Sequence, residues 1–261
     1  MYPSILLKSQ VKIIKWSLWT LVTFIATIGL LTLLGWETDS PILTSWQSGR
    51  QTMAPVTAML SLLFSIAQGL CLLNSSSQNI HIYAKLISWL GILIALLLCF
   101  FRINGDYLPV EHLGFSISSL LGKAPVGYIS LITAFCFLLA FINLLILNSQ
   151  KPVIPLRIGV GFGLASVILL FSAGFLLAYC FGLPLFITNI ILLPALNSIL
   201  SLLLIGLALL ILNYQAFYVS QSVSQSVSQS VSQSVRYYLS QTACVSTYVC
   251  YFLGGHYFCR L

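Results

Sequence analysis

A short polar segment between two apolar runs holds the residues best suited to chemistry. Arg102, Asp106, Glu111 and His112 lie within it, so a cation, two carboxylates and an imidazole follow one another closely. Such a set favours an external contact with an ion or ligand, or a pair of groups whose charge responds to pH. An ordinary polar loop with a short interfacial helix is the other interpretation, and the sequence leaves both open.

The rest of the chain lacks the groups from which active sites are built. The histidines, His81, His112 and His256, are far apart and have few carboxylate neighbours, so they predict no metal cluster. The glycines at 159, 161 and 163 lie inside an apolar run without a preceding strand, which argues against a nucleotide site. The sequence contains no phosphate-binding loop, HExxH motif or Ser-His-Asp set. We therefore expect no catalytic, cofactor-binding or metal-binding residues, no cofactor, and no enzymatic activity of the chain by itself.

The composition is that of an integral membrane protein. Of 261 residues, 59% are hydrophobic and 6% are charged, whereas a soluble chain carries about 25% charged residues. The net charge of +7 comes from basic residues that flank apolar runs. Membrane topology explains that placement better than a nucleic-acid patch does.

Six apolar runs predict an all-α protein with six transmembrane helices, since a helix of about 20 residues crosses ~30 Å of hydrocarbon. They follow a basic N-terminal segment, residues 1–15, and the first run is too long for a signal-peptide core. The predicted spans cover residues 16–36, 54–73, 86–101, 127–147, 158–181 and 191–212. Gln68, Asn143 and Asn197 are polar residues within these spans, where we expect hydrogen bonds between helices.

Three prolines indicate an internal repeat. Ala54-Pro55-Val56, Ala124-Pro125-Val126 and Leu193-Pro194-Ala195 each precede an apolar run, and the prolines are 70 and 69 residues apart. Proline suits the first turn of a helix because its missing N–H has no partner there. A near-constant period predicts three tandem two-helix repeats, near residues 16–73, 86–147 and 158–212.

The charges predict the orientation of the spans. One set of connecting segments and both termini contain basic residues only: Lys8, Lys12, Lys15, Lys85, Lys151, Arg157, Arg236 and Arg260. The opposite set contains Arg50, Arg102 and Lys123 together with every acid of the chain: Glu37, Asp39, Asp106 and Glu111. The positive-inside rule therefore places both termini in the cytoplasm.

Residues 214–261 form a different kind of segment, for which we expect a disordered low-complexity tail. Val-Ser-Gln-Ser repeats from residue 219 to 235. The codons GTC-AGT-CAG-TCA would encode it as a repeated four-base unit that reads the same in all three frames. We therefore hypothesise that residues 236–261 are frameshifted text and that the natural reading frame is longer.

Three short blocks resemble a known family of membrane regions. They are Met53-Ala54-Pro55-Val56-Thr57-Ala58, the segment from Gly105 to Leu113, and Tyr179 to Leu185 followed by Leu193 to Ser198. Together they resemble the amino-terminal multi-span sensor region of bacterial histidine kinases and diguanylate cyclases that contain PAS domains. The resemblance covers residues 16–213.

The resemblance implies a membrane-embedded sensory input module in the bacterial inner membrane, truncated before its kinase or cyclase domains. It implies the lipid bilayer as a partner, together with self-association or a signalling partner, and no nucleic acid. The alternatives are a small transporter or channel-like protein and an orphan membrane protein. For an ion-coupled transporter, charged residues are expected in the middle of the spans, and none is present.

Overall fold

The computed structural model describes residues 3–46, 52–73, 78–106, 108–115, 120–121, 124–125, 127–149, 155–181, 194–218, 220–221 and 233. Within them the chain forms seven helices: α1 (Pro3–Glu37), α2 (Pro41–Ser45), α3 (Pro55–Leu72), α4 (Gln78–Ile103), α5 (Leu131–Leu147), α6 (Pro155–Cys180) and α7 (Leu196–Tyr218). A 3₁₀ turn (Pro109–His112) follows α4. Two-residue strands β1 (Leu120–Leu121) and β2 (Ala124–Pro125) pair antiparallel.

Five helices are long and apolar enough to cross a membrane: Lys12–Glu37, Pro55–Leu72, Asn79–Ile103, Leu156–Cys180 and Leu196–Tyr218. The apolar helix α5 has 17 residues, about 26 Å at 1.5 Å per residue. The helical, multi-pass membrane architecture is therefore confirmed. The sixth span and the arrangement of three repeats stay predictions.

The three prolines do not begin three helices in the same way. Pro55 occupies the first turn of α3, as predicted, with Ala54 as the extended residue before it. Pro125 instead pairs with Leu120 in the short antiparallel ladder. The prediction that the fourth span begins near residue 127 was wrong, because α5 begins at Leu131. Ser130 caps that helix by accepting a hydrogen bond from the Thr133 N–H.

Two other boundaries in the structure also differ from the predicted ones. The predicted basic segment, residues 1–15, belongs to α1 from Pro3 onward. Residues 214–218 belong to α7 rather than to the predicted tail. Beyond residue 218, almost all of the predicted low-complexity and frameshifted segment lies outside the described residues. The chain divides into two compact units, residues 1–216 and 217–261.

Helices α1 and α3 are antiparallel and in close contact. Ile28 of α1 lies in one buried cluster with Ala58 near the start of α3. Val22 lies in another buried cluster with Leu72 at the end of α3. Gly29 allows the approach, since a Cβ on it would be 3.0 Å from the Ala58 carbonyl oxygen.

Helix α7 runs parallel to α3 and is largely buried among the other helices. Ala195, just before α7, shares a cluster with Ala58, and Ala208 shares one with Leu72. Aromatic rings connect α3 and α5: Phe141 of α5 packs edge to face against Phe64 of α3, with ring centroids 5.9 Å apart. These neighbours place α3, α5 and α7 around the core.

The charges separate along the bundle as the sequence predicted. We call one end the acidic end; it contains Glu37, Asp39, Asp106 and Glu111 at or beyond the ends of α1 and α4. We call the other the basic end; it contains Lys12, Lys15, Lys85 and Arg157 near the starts of α1, α4 and α6. Which end faces the cytoplasm stays a prediction.

Candidate functional site

A buried ion pair lies at the acidic end. Arg102, in the last turn of α4, donates from its Nη2 atom to both carboxylate oxygens of Glu111 in the 3₁₀ turn, at 2.8 and 2.7 Å. Both side chains are only 3% exposed. Of the residues predicted for this segment, Glu111 rather than Asp106 therefore supplies the carboxylate. Asp106 contributes its backbone oxygen, which accepts from Arg102 Nη1 at 3.3 Å.

The Glu111 carboxylate also reaches the segment that leads into α5. It accepts a hydrogen bond from the Ile129 backbone N–H at 3.0 Å. Burial raises the pKa of Glu111, while the Ile129 N–H and the charge of Arg102 act in the opposite direction. The carboxyl group therefore takes up a proton at higher pH than an exposed glutamate does.

Tyr128 and His112 complete this site. The Arg102 guanidinium carbon lies 5.5 Å from the centre of the Tyr128 ring, within reach of a cation–π interaction. The His112 and Tyr128 rings meet edge to face, with centroids 4.4 Å apart. Burial lowers the pKa of His112. We call Arg102, Glu111, His112 and Tyr128 the ion-pair cluster. Tyr128 was absent from the predicted set because it is 16 residues beyond His112 in the sequence.

An asparagine cluster joins three helices near the basic end. Asn143 of α5 donates from Nδ2 to the Gly161 carbonyl oxygen of α6 at 2.8 Å. Asn213 of α7 donates to Asn143 Oδ1 at 3.3 Å and to the Leu209 oxygen at 2.8 Å. A Cβ on Gly161 would overlap the Asn213 side chain, so only glycine fits. The predicted interhelical hydrogen bond of Asn143 is confirmed.

The other two polar span residues behave differently from each other. Asn197 donates to the carbonyl oxygens of Leu43 and Thr44 in α2, at 3.1 and 3.4 Å, which confirms its predicted role. Gln68 is fully buried, yet neither polar atom of its side chain has a hydrogen-bond partner among the described residues. The structure thus does not confirm the predicted interhelical bond of Gln68.

Helix α5 connects the two clusters. It begins two residues after Ile129, and its residue Asn143 lies 12 positions further along, about 18 Å at 1.5 Å per residue. Its far end is held as well. Asn148 donates to the His81 oxygen at 3.2 Å and faces His81 Nδ1 at 3.0 Å. This leaves Asn148 Oδ1 to accept, so His81 Nδ1 carries the proton.

Among the residues that the structure describes, no group of three or more His, Cys, Asp or Glu side chains could hold a metal ion. His81 and His112 lie at opposite ends of the bundle, and His256 lies outside the described residues. The expected absence of catalytic residues and cofactors stays a prediction.

These features define a multi-pass helical membrane protein with a buried ionic site at one end. No family model, curated protein or solved structure matches the chain.

Proposed function

We propose that this chain is the membrane-embedded input module of a bacterial signal-transduction protein. It lies in the cytoplasmic membrane with both termini in the cytoplasm, and it regulates a kinase or cyclase whose catalytic motifs are not in this sequence. The observation that supports this function is the position of α5, which has the ion-pair cluster at one end and the asparagine cluster at the other.

The mechanism begins with the charge state of the ion-pair cluster. Protonation of Glu111, or a ligand that displaces it, leaves the buried Arg102 without its counter-charge, and that arrangement is unstable. Because Glu111 also holds the Ile129 N–H, its release frees the segment that precedes α5. The ion-pair cluster therefore has two states, with and without the contact to the start of α5.

The signal leaves through α7. A shift of α5 moves Asn143, whose contact with Asn213 is 3.3 Å long and is weaker than the 2.8 Å bond to Gly161. Breaking that contact lets α7 move against α5 and α6, a small helix displacement of the kind that signalling proteins use. Downstream domains attached after α7 would receive the displacement directly.

A fusion protein tests this function. The chain is joined after Tyr218 to the dimerisation and catalytic domains of a bacterial histidine kinase, and autophosphorylation is measured in membranes. Glu111→Gln is expected to change the rate severalfold. Asp106→Asn, which neutralises an exposed acid of the same segment, leaves it unchanged. Equal rates in the parent fusion and the Glu111→Gln fusion would remove the support for an input module.

A channel for water or small uncharged solutes is the second candidate, and a buried polar seam between α3 and α7 favours it. On α3 the seam contains Thr57, Ser61, Ser65 and Gln68, which share one helix face. Leu72 continues this face and packs with Ala208 of α7. Asn197 and Ser201 lie on the same face of α7 as Ala208.

Part of this polar seam has no hydrogen-bond partner among the described residues. The unpartnered atoms are both amide atoms of Gln68, the Ser201 hydroxyl and Asn197 Oδ1. Buried polar atoms of this kind are commonly satisfied by water. Light scattering by proteoliposomes under osmotic shock tests the candidate. Shrinkage faster than that of protein-free vesicles, and lost in the Gln68→Leu variant, would support the channel. Proteoliposomes that shrink no faster than protein-free vesicles would exclude the channel.

A further inference from the structure

Two lysines and two tryptophans form one surface at the start of the first span. Lys12, Lys15, Trp16 and Trp19 are spaced i, i+3, i+4 and i+7, so they lie on one face of α1. They line a common cavity of about 490 Å³. Lys12 is exposed, and 65% of Trp16 is exposed.

The chain offers these lysines no acidic side chain as a partner. All four acids of the sequence lie at the acidic end of the bundle. Glu37 ends the same helix, but it is 25 residues beyond Lys12, or about 38 Å at 1.5 Å per residue. Two ammonium groups therefore share one helix face, and the counter-charge must come from another source.

The depth of the four residues indicates that source. Residues 16–36 follow these lysines in α1 and contain no charged side chain, so the lysines lie at the edge of the apolar stretch and thus at the membrane interface. Tryptophan prefers the boundary between headgroups and acyl chains, and lysine extends its ammonium group toward the phosphates. Trp19 packs beside Gly69 of α3, where a Cβ would be 3.8 Å from the indole ring. This surface thus combines two ammonium groups with two indole rings on the same helix face.

We propose that this face of α1 is a binding site for an anionic phospholipid of the phosphatidylglycerol type. Lys12 and Lys15 bind the phosphodiester, and Trp16 and Trp19 contact the glycerol backbone and the first acyl carbons. Sequence reasoning assigned these lysines to topology alone; the shared face with two tryptophans adds a selective lipid contact. The site is independent of the proposed signalling function, since it includes no residue of either cluster.

Tryptophan quenching tests the site in the full chain. Trp36, Trp46 and Trp89 are replaced by phenylalanine, so that only Trp16 and Trp19 report. The protein is reconstituted in phosphatidylcholine vesicles that contain brominated phosphatidylglycerol or brominated phosphatidylcholine at equal mole fraction. We expect the phosphatidylglycerol association constant to be about 5- to 30-fold higher, the range that two interfacial lysines give.

Two double variants distinguish a specific lipid site on α1 from non-specific attraction between basic residues and anionic lipid. In the double variant Lys12→Gln with Lys15→Gln, the association constants of the two lipids should differ by no more than about twofold. Lys85→Gln with Arg157→Gln, at the same end of the bundle, should leave the preference intact. Equal quenching by both lipids in the parent protein would overturn the proposal. The proposal would also be overturned if both double variants lost the preference for phosphatidylglycerol to the same extent. Native mass spectrometry of the unsubstituted protein in detergent with the same two lipids repeats the comparison without the phenylalanine replacements.

Discussion

The carboxylate of Glu111 accepts a hydrogen bond from the backbone N–H of Ile129, 18 residues away in sequence, at 3.0 Å. The same carboxylate binds Arg102 at the end of α4. One buried side chain thus holds together the end of α4 and the segment that leads into α5. Changes at Glu111 are for this reason expected to affect both stability and helix position.

Glu111→Gln should lower the free energy of unfolding by about 3 kcal/mol, because it leaves a buried guanidinium without a counter-charge. Reversible unfolding in mixed micelles measures the change. The double variant Arg102→Met with Glu111→Leu removes both charges and is expected to recover most of the loss, since apolar replacement of a whole buried pair is often neutral. A stability of Glu111→Gln equal to that of the parent would contradict the importance of the pair.

The pH dependence of stability should contain a separate contribution from His112. Burial lowers its pKa below the usual 6.5, so the unfolded chain binds the proton more readily. The stability it contributes is then complete above about pH 6.5 and is lost as the pH falls through the folded-state pKa.

Replacing the histidine isolates its contribution. His112→Phe keeps an aromatic ring against Tyr128 but cannot take up a proton. Thermal unfolding midpoints of the parent and the variant are compared at pH 7.5 and pH 5. We expect the parent to lose more stability on acidification than the variant does. Identical shifts in both proteins would show that the pKa of His112 is the same in the folded and unfolded states.

Gly161→Ala should destabilise the protein by about 2 kcal/mol, the usual cost of forcing extra volume into a packed interface. Its Cβ would overlap Asn213 and separate α6 from α7. Gly159 and Gly163 on the same helix are matched controls, since a Cβ on either meets nothing within 4 Å. Alanine there should be neutral or stabilising by up to about 1 kcal/mol. Equal effects at all three positions, measured by thermal unfolding in detergent, would argue against the asparagine cluster.

The sequence predicted the helices better than the contacts between them. Apolar length and composition were enough to predict the membrane class, and the bare distribution of lysines and acids predicted the two charged ends. The start of α5 was missed because Ser130 offers a side-chain cap that Pro125 does not. A side-chain cap of this kind can determine where a helix begins even when an apparent repeat predicts another start.

Long-range pairing was beyond sequence reasoning because it depends on how helices rotate against each other. Asn143 was assigned to hydrogen bonding, but nothing in the sequence identified Gly161 and Asn213 as its partners. The two asparagines are 70 residues apart, the same separation as Pro55 and Pro125. The arrangement of three repeats stays a prediction.

Hydrogen exchange of the full chain in nanodiscs tests the coupling along α5 without labels. Glu111→Gln should speed exchange of the α7 amides around Asn213, because loss of the Ile129 contact loosens α5 and with it the 3.3 Å bond between Asn143 and Asn213. Asp106→Asn should leave those amides unchanged. Gly161→Ala, which disrupts the asparagine cluster directly, should speed the same amides and abolish any further effect of Glu111→Gln. Faster exchange confined to residues 108–130 in Glu111→Gln would mean that the ion-pair cluster only stabilises its own end of the bundle. The proposed signal path through α5 would then be wrong.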